Sequence, residues 1–212
     1  MVNTKPSIFI IESLEISDER KNMFGGKLIS KMLTLGNLEN LYFYIRTNKE
    51  LKYVLKIFQK SKYRYLLFYC HANEDSIGLS LDDYTFFEFG KIINPYLEKK
   101  RLFLSSCLAV NDNFKNEVLE NSKCLSVIGP DFEIGFHEAA LMWSSFFYLM
   151  LSNEKRFMSN ENIDKTLSKL FITFNQRMNG YKRMRDGSFQ KITFGDKKLQ
   201  KIQDKIMAIK DI

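Results

Sequence analysis

Apolar runs of strand length alternate along this chain with segments of helical period. Residues 64–70 (RYLLFYC) and 102–106 (LFLSS) are almost free of charge, which is typical of strands buried on both faces of a sheet. Residues 49–60 instead repeat apolar positions at three- and four-residue steps, the period of an amphipathic helix. The pattern predicts strands at 7–11, 41–46, 64–70, 77–81, 102–106, 125–128 and 188–194, and helices at about 20–35, 49–60, 86–97, 111–121, 136–151, 162–178 and 197–210.

This alternation predicts an α/β fold. Strands that are separated by helices are joined by right-handed crossovers, and such connections build a parallel sheet with helices on both faces. We therefore expect a three-layer sandwich with a mainly parallel central sheet flanked by helices. The length of 212 residues suits a single domain over 1–212.

Composition narrows the class of protein. The chain has no apolar run near the roughly 18 residues of a membrane span and no signal peptide, so we expect a cytoplasmic protein without a membrane partner. Three cysteines are an odd count and argue against a disulfide framework. The cysteines lack metal-type spacing and there are only two histidines, so we expect no metal and no cofactor.

The net charge of +7 permits an anionic partner. Lysines and arginines are spread along the whole chain with acids between them, which favours a solvated basic surface over a nucleic-acid site. We therefore do not expect nucleic acid as a direct ligand.

Two chemically active residues follow predicted buried strands. His71 comes directly after the strand at 64–70, and Cys107 directly after the strand at 102–106. The carboxyl ends of neighbouring parallel strands open into one crevice, where ligands bind. A histidine and a cysteine at that edge are placed to act as base and nucleophile, and free cysteine, with a pKa of about 8.5, needs such a neighbour at neutral pH.

The ordered set of motifs resembles the CHAT branch of the caspase-like cysteine proteases. The set consists of FYCHA at 68–72, IGLSLDD at 77–83, LFLSSC at 102–107, VIG at 127–129 with the aromatic-rich helix after it, and ITFGD at 192–196. The resemblance covers roughly residues 64–199. It implies a caspase-like sandwich and a cysteine endopeptidase that cleaves a specific protein partner through a His71/Cys107 dyad. It also implies a role in bacterial signalling or antiviral defence. We expect control either by a separate regulatory or sensor protein or by limited exposure of the site.

The resemblance also implies roles for the neighbouring residues. The backbone N–H groups of Ala72 and Cys107 would hold the oxyanion, although Ala72 replaces the family's usual glycine. Relatives that cleave after Arg or Lys carry an acid where this chain has Ser105. Asp131 and Glu133, on the loop after the fifth strand, could instead supply negative charge to a specificity pocket.

Other interpretations stay open. The chain could be a pseudoprotease that retains the fold as a protein-interaction module, or a basic nucleic-acid-binding α/β domain. Cysteine is often buried in cores, and Cys70 and Cys124 are expected there. His137 is expected on the surface or at a helix cap, and the aromatic residues at 143 and 146–148 on a helix face that packs on the sheet.

Overall fold

The structure, a computed structural model, describes residues 4–152 and 158–194. Within these residues, a seven-stranded sheet has the order β10-β9-β8-β7-β3-β1-β2, and a three-stranded sheet has the order β4-β5-β6. The strands are β1 (Lys5–Glu12), β2 (Asn40–Tyr44), β3 (Tyr63–Tyr69), β4 (His71–Ala72), β5 (Ser76–Gly78), β6 (Asp83–Thr85), β7 (Arg101–Ser105), β8 (Ser126–Gly129), β9 (Met178–Arg183) and β10 (Phe189–Phe194).

The larger sheet is mainly parallel. Strands β2, β1, β3, β7 and β8 run in the same direction, while β9 and β10 form an antiparallel hairpin at one edge. The helices are α1 (Ile16–Arg20), α2 (Gly25–Leu35), α3 (Asn48–Ser61), α4 (Phe86–Ile93), α5 (Asp112–Phe114), α6 (Phe136–Leu151) and α7 (Asn160–Phe174). A π-helical turn at Lys115–Leu119 extends α5.

Helices cover both faces of this sheet. Successive side chains of a strand point to opposite faces, so each face carries apolar side chains that pack against helices in a separate core cluster. Phe9, Phe68 and Leu104 share one cluster with apolar residues of α3 and α4. The other cluster joins the opposite strand positions to α2, α6 and α7. At its centre the ring of Phe103 lies 5.7 Å from that of Trp143, at the edge-to-face geometry that aromatic pairs favour.

These findings confirm the α/β class, the mainly parallel sheet and the helices that flank it. The predicted helix over 20–35 is divided, since α1 ends at Arg20 and α2 begins at Gly25. The predicted helix over 162–178 ends at Phe174, where Asn175 adopts a left-handed conformation, and β9 follows as a strand that the pattern missed. Tyr148 is 51% exposed, so its expected place on the buried face of α6 was wrong.

No helix in these residues has the length and apolar content that crossing a membrane requires. The predicted Gly195-Asp196 ending and the predicted basic helix at 197–210 lie outside the described residues.

Candidate functional site

His71 and Cys107 occupy matching positions at the carboxyl edge of the main sheet. Strands β3 and β7 are parallel neighbours, and Tyr69 pairs with Ser105 at their ends. His71 lies two residues beyond Tyr69, and Cys107 lies two residues beyond Ser105. The sequence prediction that two adjacent strands bring these residues to one edge is confirmed.

Both residues line one narrow cleft. Its interior holds about 30 Å³, and its walls come from the ends of β3 and β7, from the segment after β8 and from the start of α6. The lining residues are Tyr69, Cys70, His71, Ser105, Ser106, Cys107, Ile134, Phe136 and Ala139. The rings of Phe136 and His71 meet edge-to-face, with their centroids 5.3 Å apart, and this contact limits the orientations that the imidazole can take.

Asp18 holds the imidazole from its other side. Nε2 of His71 lies 2.8 Å from Oδ2 of Asp18, whose side chain is only 14% exposed. An ionised carboxylate can only accept a hydrogen bond, so this contact places the ring proton on Nε2. In the neutral imidazole Nδ1 then carries the lone pair and is the nitrogen that can take a proton.

A second contact fixes the short helix that carries Asp18. Glu19 pairs with Arg46, whose Nε lies 2.9 Å from Oε1 of Glu19, and it also accepts a hydrogen bond from Tyr44. The Arg46 guanidinium lowers the pKa of Glu19. Since Tyr44 ends β2 and Arg46 follows it, these bonds tie α1 to the sheet and so set the position of Asp18.

Two backbone groups of Ile134, in the segment after β8, contact the thiol of Cys107. The N–H of Ile134 donates to Sγ of Cys107 at 3.5 Å, and the thiol lies 3.8 Å from the carbonyl oxygen of Ile134. The next residue, Leu108, has a φ of 56°, a left-handed conformation that costs an L-residue about 1–2 kcal/mol. Backbone strain of this kind is concentrated at functional sites.

Two backbone N–H groups beside the candidate dyad, those of Ala72 and Cys107, are not bonded to an adjacent strand within the described residues. Asn73 donates to Ser76 across β4 and β5, so the adjacent pair Ala72–Ile77 is a non-hydrogen-bonded one and the Ala72 N–H points away from β5. The N–H of Cys107 donates no hydrogen bond within 4–152 and 158–194. Ala72 does not adopt a positive φ, so the side chain that replaces the expected glycine adds no backbone strain.

The three residues proposed for a specificity pocket lie in different places. Ser105 lines the cleft, and its hydroxyl is buried. Asp131 and Glu133 do not line the cleft. The Asp131 carboxylate pairs with Arg177 and Asn179, and Glu133 is exposed. A charge-selecting role for these two acids stays a prediction without support from their positions.

The remaining cysteines and the second histidine fit the simpler interpretations. Cys70 and Cys124 are buried, and burial raises the pKa of each thiol, which disfavours the reactive thiolate. Cys70 belongs to the core cluster on the other face of the sheet, although it also reaches the floor of the cleft. His137 is exposed in the first turn of α6.

The start of α2 is occupied by a carboxylate of the protein itself. Oε1 of Glu12 accepts from the N–H of Gly26 at 2.7 Å, and Oε2 accepts from Lys27 and from Tyr42. Helix N-termini attract anions, and at the start of α2 the N–H groups of Gly26 and Lys27 instead bind the side chain of Glu12. This agrees with the sequence, in which Gly25-Gly26 lacks the pattern of a phosphate-binding loop.

One group of side chains has donor atoms of the kind that cations bind. A carboxylate oxygen of Glu15, one of Asp18 and a ring nitrogen of His71 all lie within 4.8 Å of one another. Glu15 is exposed, and the hydrogen bond between His71 and Asp18 already accounts for the closest pair. The sequence prediction of no metal stays a prediction.

Sequence reasoning missed Asp18. The available signal was its position in a polar turn six residues beyond β1, at the same edge of the sheet as the ends of β3 and β7. Comparison with models of known protein families gives no match, and comparison with curated proteins gives none either.

Proposed function

We propose that this chain is a cysteine endopeptidase in which Cys107 is the nucleophile, His71 the general base and Asp18 the residue that positions His71. The observation that carries the proposal is the placement of His71 and Cys107 at matching positions in one cleft, with the far nitrogen of the imidazole bound to a carboxylate. Nucleophile, base and orienting group are the three parts that acyl transfer by a cysteine requires.

The proposed reaction proceeds in two stages. Nδ1 of His71 takes the thiol proton, and Sγ of Cys107 forms a bond to the carbonyl carbon of a peptide. The backbone N–H groups of Ala72 and Cys107 are donors of the type that stabilises the oxyanion. The C–N bond then breaks as His71 returns the proton to the leaving amine, and water hydrolyses the thioester with His71 again as base.

The wider assignment rests on the motifs and on the fold class. A mainly parallel sheet with helices on both faces is compatible with a caspase-like sandwich, and the order of motifs resembles the CHAT branch. On that basis the substrate is a specific protein, and the biological setting is bacterial signalling or antiviral defence.

Thiol labelling tests the proposal directly. Iodoacetamide at pH 7, with the modified residue mapped by mass spectrometry, should label Cys107 in the native protein, and His71→Ala should lower that rate at least about tenfold. Cys124 is the internal reference, because it is buried away from the cleft and should react only when the fold opens. A rate at Cys107 that is the same with and without the imidazole would overturn the proposed dyad.

A second candidate function is the interaction module, and the narrowness of the cleft favours it. About 30 Å³ is far below the roughly 300–1,000 Å³ of typical small-molecule sites. A cleavage assay distinguishes the two functions. The protein is added to a cell extract, and labelling of the new N-termini identifies any substrate protein that it cleaves. Cleavage that Cys107→Ala abolishes and Cys124→Ala retains supports the protease, whereas binding of a partner without cleavage supports the module.

A further inference from the structure

The segment at 130–135, here called the strap, follows β8 and lies beside the residues that follow β7. The N–H of Val110 donates to the carbonyl of Pro130 at 3.4 Å, and the N–H of Leu108 donates to the carbonyl of Phe132 at 3.3 Å. From the first bond to the second, the donor moves back by two residues and the acceptor moves forward by two. This is the spacing of segments that run antiparallel to each other. The strap therefore lies antiparallel beside residues 108–110, held by these two backbone hydrogen bonds.

The end of the strap lies against the candidate nucleophile, which is partly exposed. The backbone of Ile134 contacts Sγ of Cys107 through its N–H at 3.5 Å and through its carbonyl at 3.8 Å. A reacting carbonyl must come to about 3–3.5 Å from the sulfur. The cleft beside it holds about 30 Å³, so a peptide with residues on both sides of the carbonyl does not fit in this conformation.

The side chain of Asp131 joins the strap to the edge of the sheet by hydrogen bonds. Oδ2 of Asp131 accepts from Nδ2 of Asn179 at 2.6 Å and from Nη2 of Arg177 at 3.2 Å. Asn179 is 3% exposed, and its amide is held in turn by the hydroxyl of Thr193 at 2.9 Å. Hydrogen bonds to a charged group are stronger than neutral ones, so this contact is the main side-chain anchor of the strap.

We propose that the strap is an autoinhibitory element, that the hydrogen bonds of Asp131 with Asn179 and Arg177 are its latch, and that release of this latch widens the cleft at Cys107. This inference rests on the proposed role of Cys107 as the nucleophile. It assigns to Asp131 a regulatory contact in place of the charge-selecting role that its sequence position suggested. It also gives the separate regulator a physical task, which is to break the contacts of Asp131 with Asn179 and Arg177.

The strap also supplies a matched control. Glu133 is an acid of the same segment, but it is exposed and makes no hydrogen bond or ion pair within the described residues. Asp131→Ala should open the strap, while Glu133→Ala removes the same charge and leaves the latch intact. Arg177→Ala removes one of the two side chains that Asp131 contacts. The Arg177 side chain is 53% exposed, so this variant should keep the fold.

The experiment measures the rate constant for alkylation of Cys107 by iodoacetamide at pH 7 in the full chain. Removing a charged hydrogen bond should raise the open population, and with it the rate, by about tenfold or more in Asp131→Ala. Arg177→Ala should give a smaller increase and Glu133→Ala none. Unchanged labelling of Cys124, which lies outside the cleft, would show that the opening is local. If Asp131→Ala unfolds, the alkylation rates of Cys107 in Arg177→Ala and in Glu133→Ala are compared instead, and a faster rate in Arg177→Ala supports the latch.

The outcomes separate this inference from the proposed function. Equal rates in wild type, Arg177→Ala and Glu133→Ala would overturn the latch, even if His71→Ala still slows the reaction and the dyad stands. A faster rate in Asp131→Ala that a second change, His71→Ala, does not lower would support the strap and overturn the dyad. An equal increase in Glu133→Ala would show a general effect of charge and would also overturn the latch.

Discussion

The carboxylate of Asp18 lies 2.8 Å from Nε2 of His71, although 53 residues separate the two in the chain. Asp18 comes from the helix after β1, and His71 lies at the start of β4, two residues beyond the end of β3. Because β1 and β3 are parallel neighbours, both residues arrive at the same edge of the sheet. The contact fixes which ring nitrogen faces away from Asp18, and the proposed chemistry depends on that nitrogen.

Asp18→Asn should impair catalysis more than folding. The asparagine amide can donate as well as accept, so it no longer requires the proton on Nε2, and Nδ1 of His71 loses its fixed role as the base. We expect kcat and the rate of Cys107 alkylation to fall by about 10- to 100-fold, with KM little changed.

The matched control is Glu15→Gln, because Glu15 is a neighbouring carboxylate that is exposed. The pH dependence of the alkylation rate is the decisive readout, since a purely structural role would lower the rate without changing the shape of its profile. Equal rates and identical profiles in Asp18→Asn and Glu15→Gln would contradict the role of Asp18 as the positioning residue.

The strands could be predicted from the sequence because their signal is local. The runs before His71 and Cys107 are short, apolar and nearly uncharged, and both are strands where the pattern placed them. The adjacency of β3 and β7 followed from the alternation of strands with helices. Asp18 could not be found in the same way, because its partner is 53 residues distant and its helix has only five residues, too few to show a period.

The errors have similar physical causes. The start of α2 at Gly25 depends on the buried carboxylate of Glu12, which binds the first N–H groups of this helix from another element. The helix α7 ends because Asn175 adopts a φ of 53°, and the residues that follow pair with β8. Such tertiary contacts override the local pattern. The division of the helix at 20–35 and the strand β9 therefore could not be predicted from the sequence.

Gly25→Ala should destabilise the protein. A Cβ at this position would lie 2.2 Å from the hydroxyl oxygen of Tyr69, which donates a hydrogen bond to the carbonyl of Phe136. We expect a loss of about 1–3 kcal/mol in the free energy of unfolding, measured with urea, because the packed ring must move. Gly36→Ala is the control, since its Cβ would meet the edge of an exposed Tyr148 ring at 3.3 Å. A loss as large at Gly36 would contradict this account.

Glu12→Ala should cost more stability than Tyr42→Phe. The first change leaves three donors without their acceptor, whereas the second removes one donor, so we expect losses of about 2–4 and about 1 kcal/mol in the free energy of unfolding. Burial raises the pKa of Glu12 above 4.5, so its contribution is fully present below pH 4.5 and declines as pH rises through the raised value. Urea unfolding of wild type and variant between pH 4 and 7 should show their difference shrink. A difference that grows over this range would contradict the assignment.

Lys100 gives a stability prediction at alkaline pH. Its side chain is buried, its ammonium donates to the carbonyl of Tyr63, and burial lowers its pKa to about 8, against 10.5 for an ordinary lysine. Below pH 8 both the folded and the unfolded chain carry the proton, and the folded state bears the full penalty of the buried charge. Between pH 8 and 10.5 the unfolded chain binds the proton more tightly, so stability rises with pH in this window.

Lys100→Met removes the titrating group and should remove this rise. The free energy of unfolding of wild type, relative to Lys100→Met, should increase by about 2–3 kcal/mol from pH 7.5 to 10.5, while the exposed control Lys60→Met shows no such change. Urea unfolding of the three proteins at each pH measures it, and the subtraction cancels the titration of groups that they share. A flat difference for Lys100→Met would mean that the ammonium keeps its ordinary pKa. Its contact with the Tyr63 carbonyl would then compensate for burial of the charge.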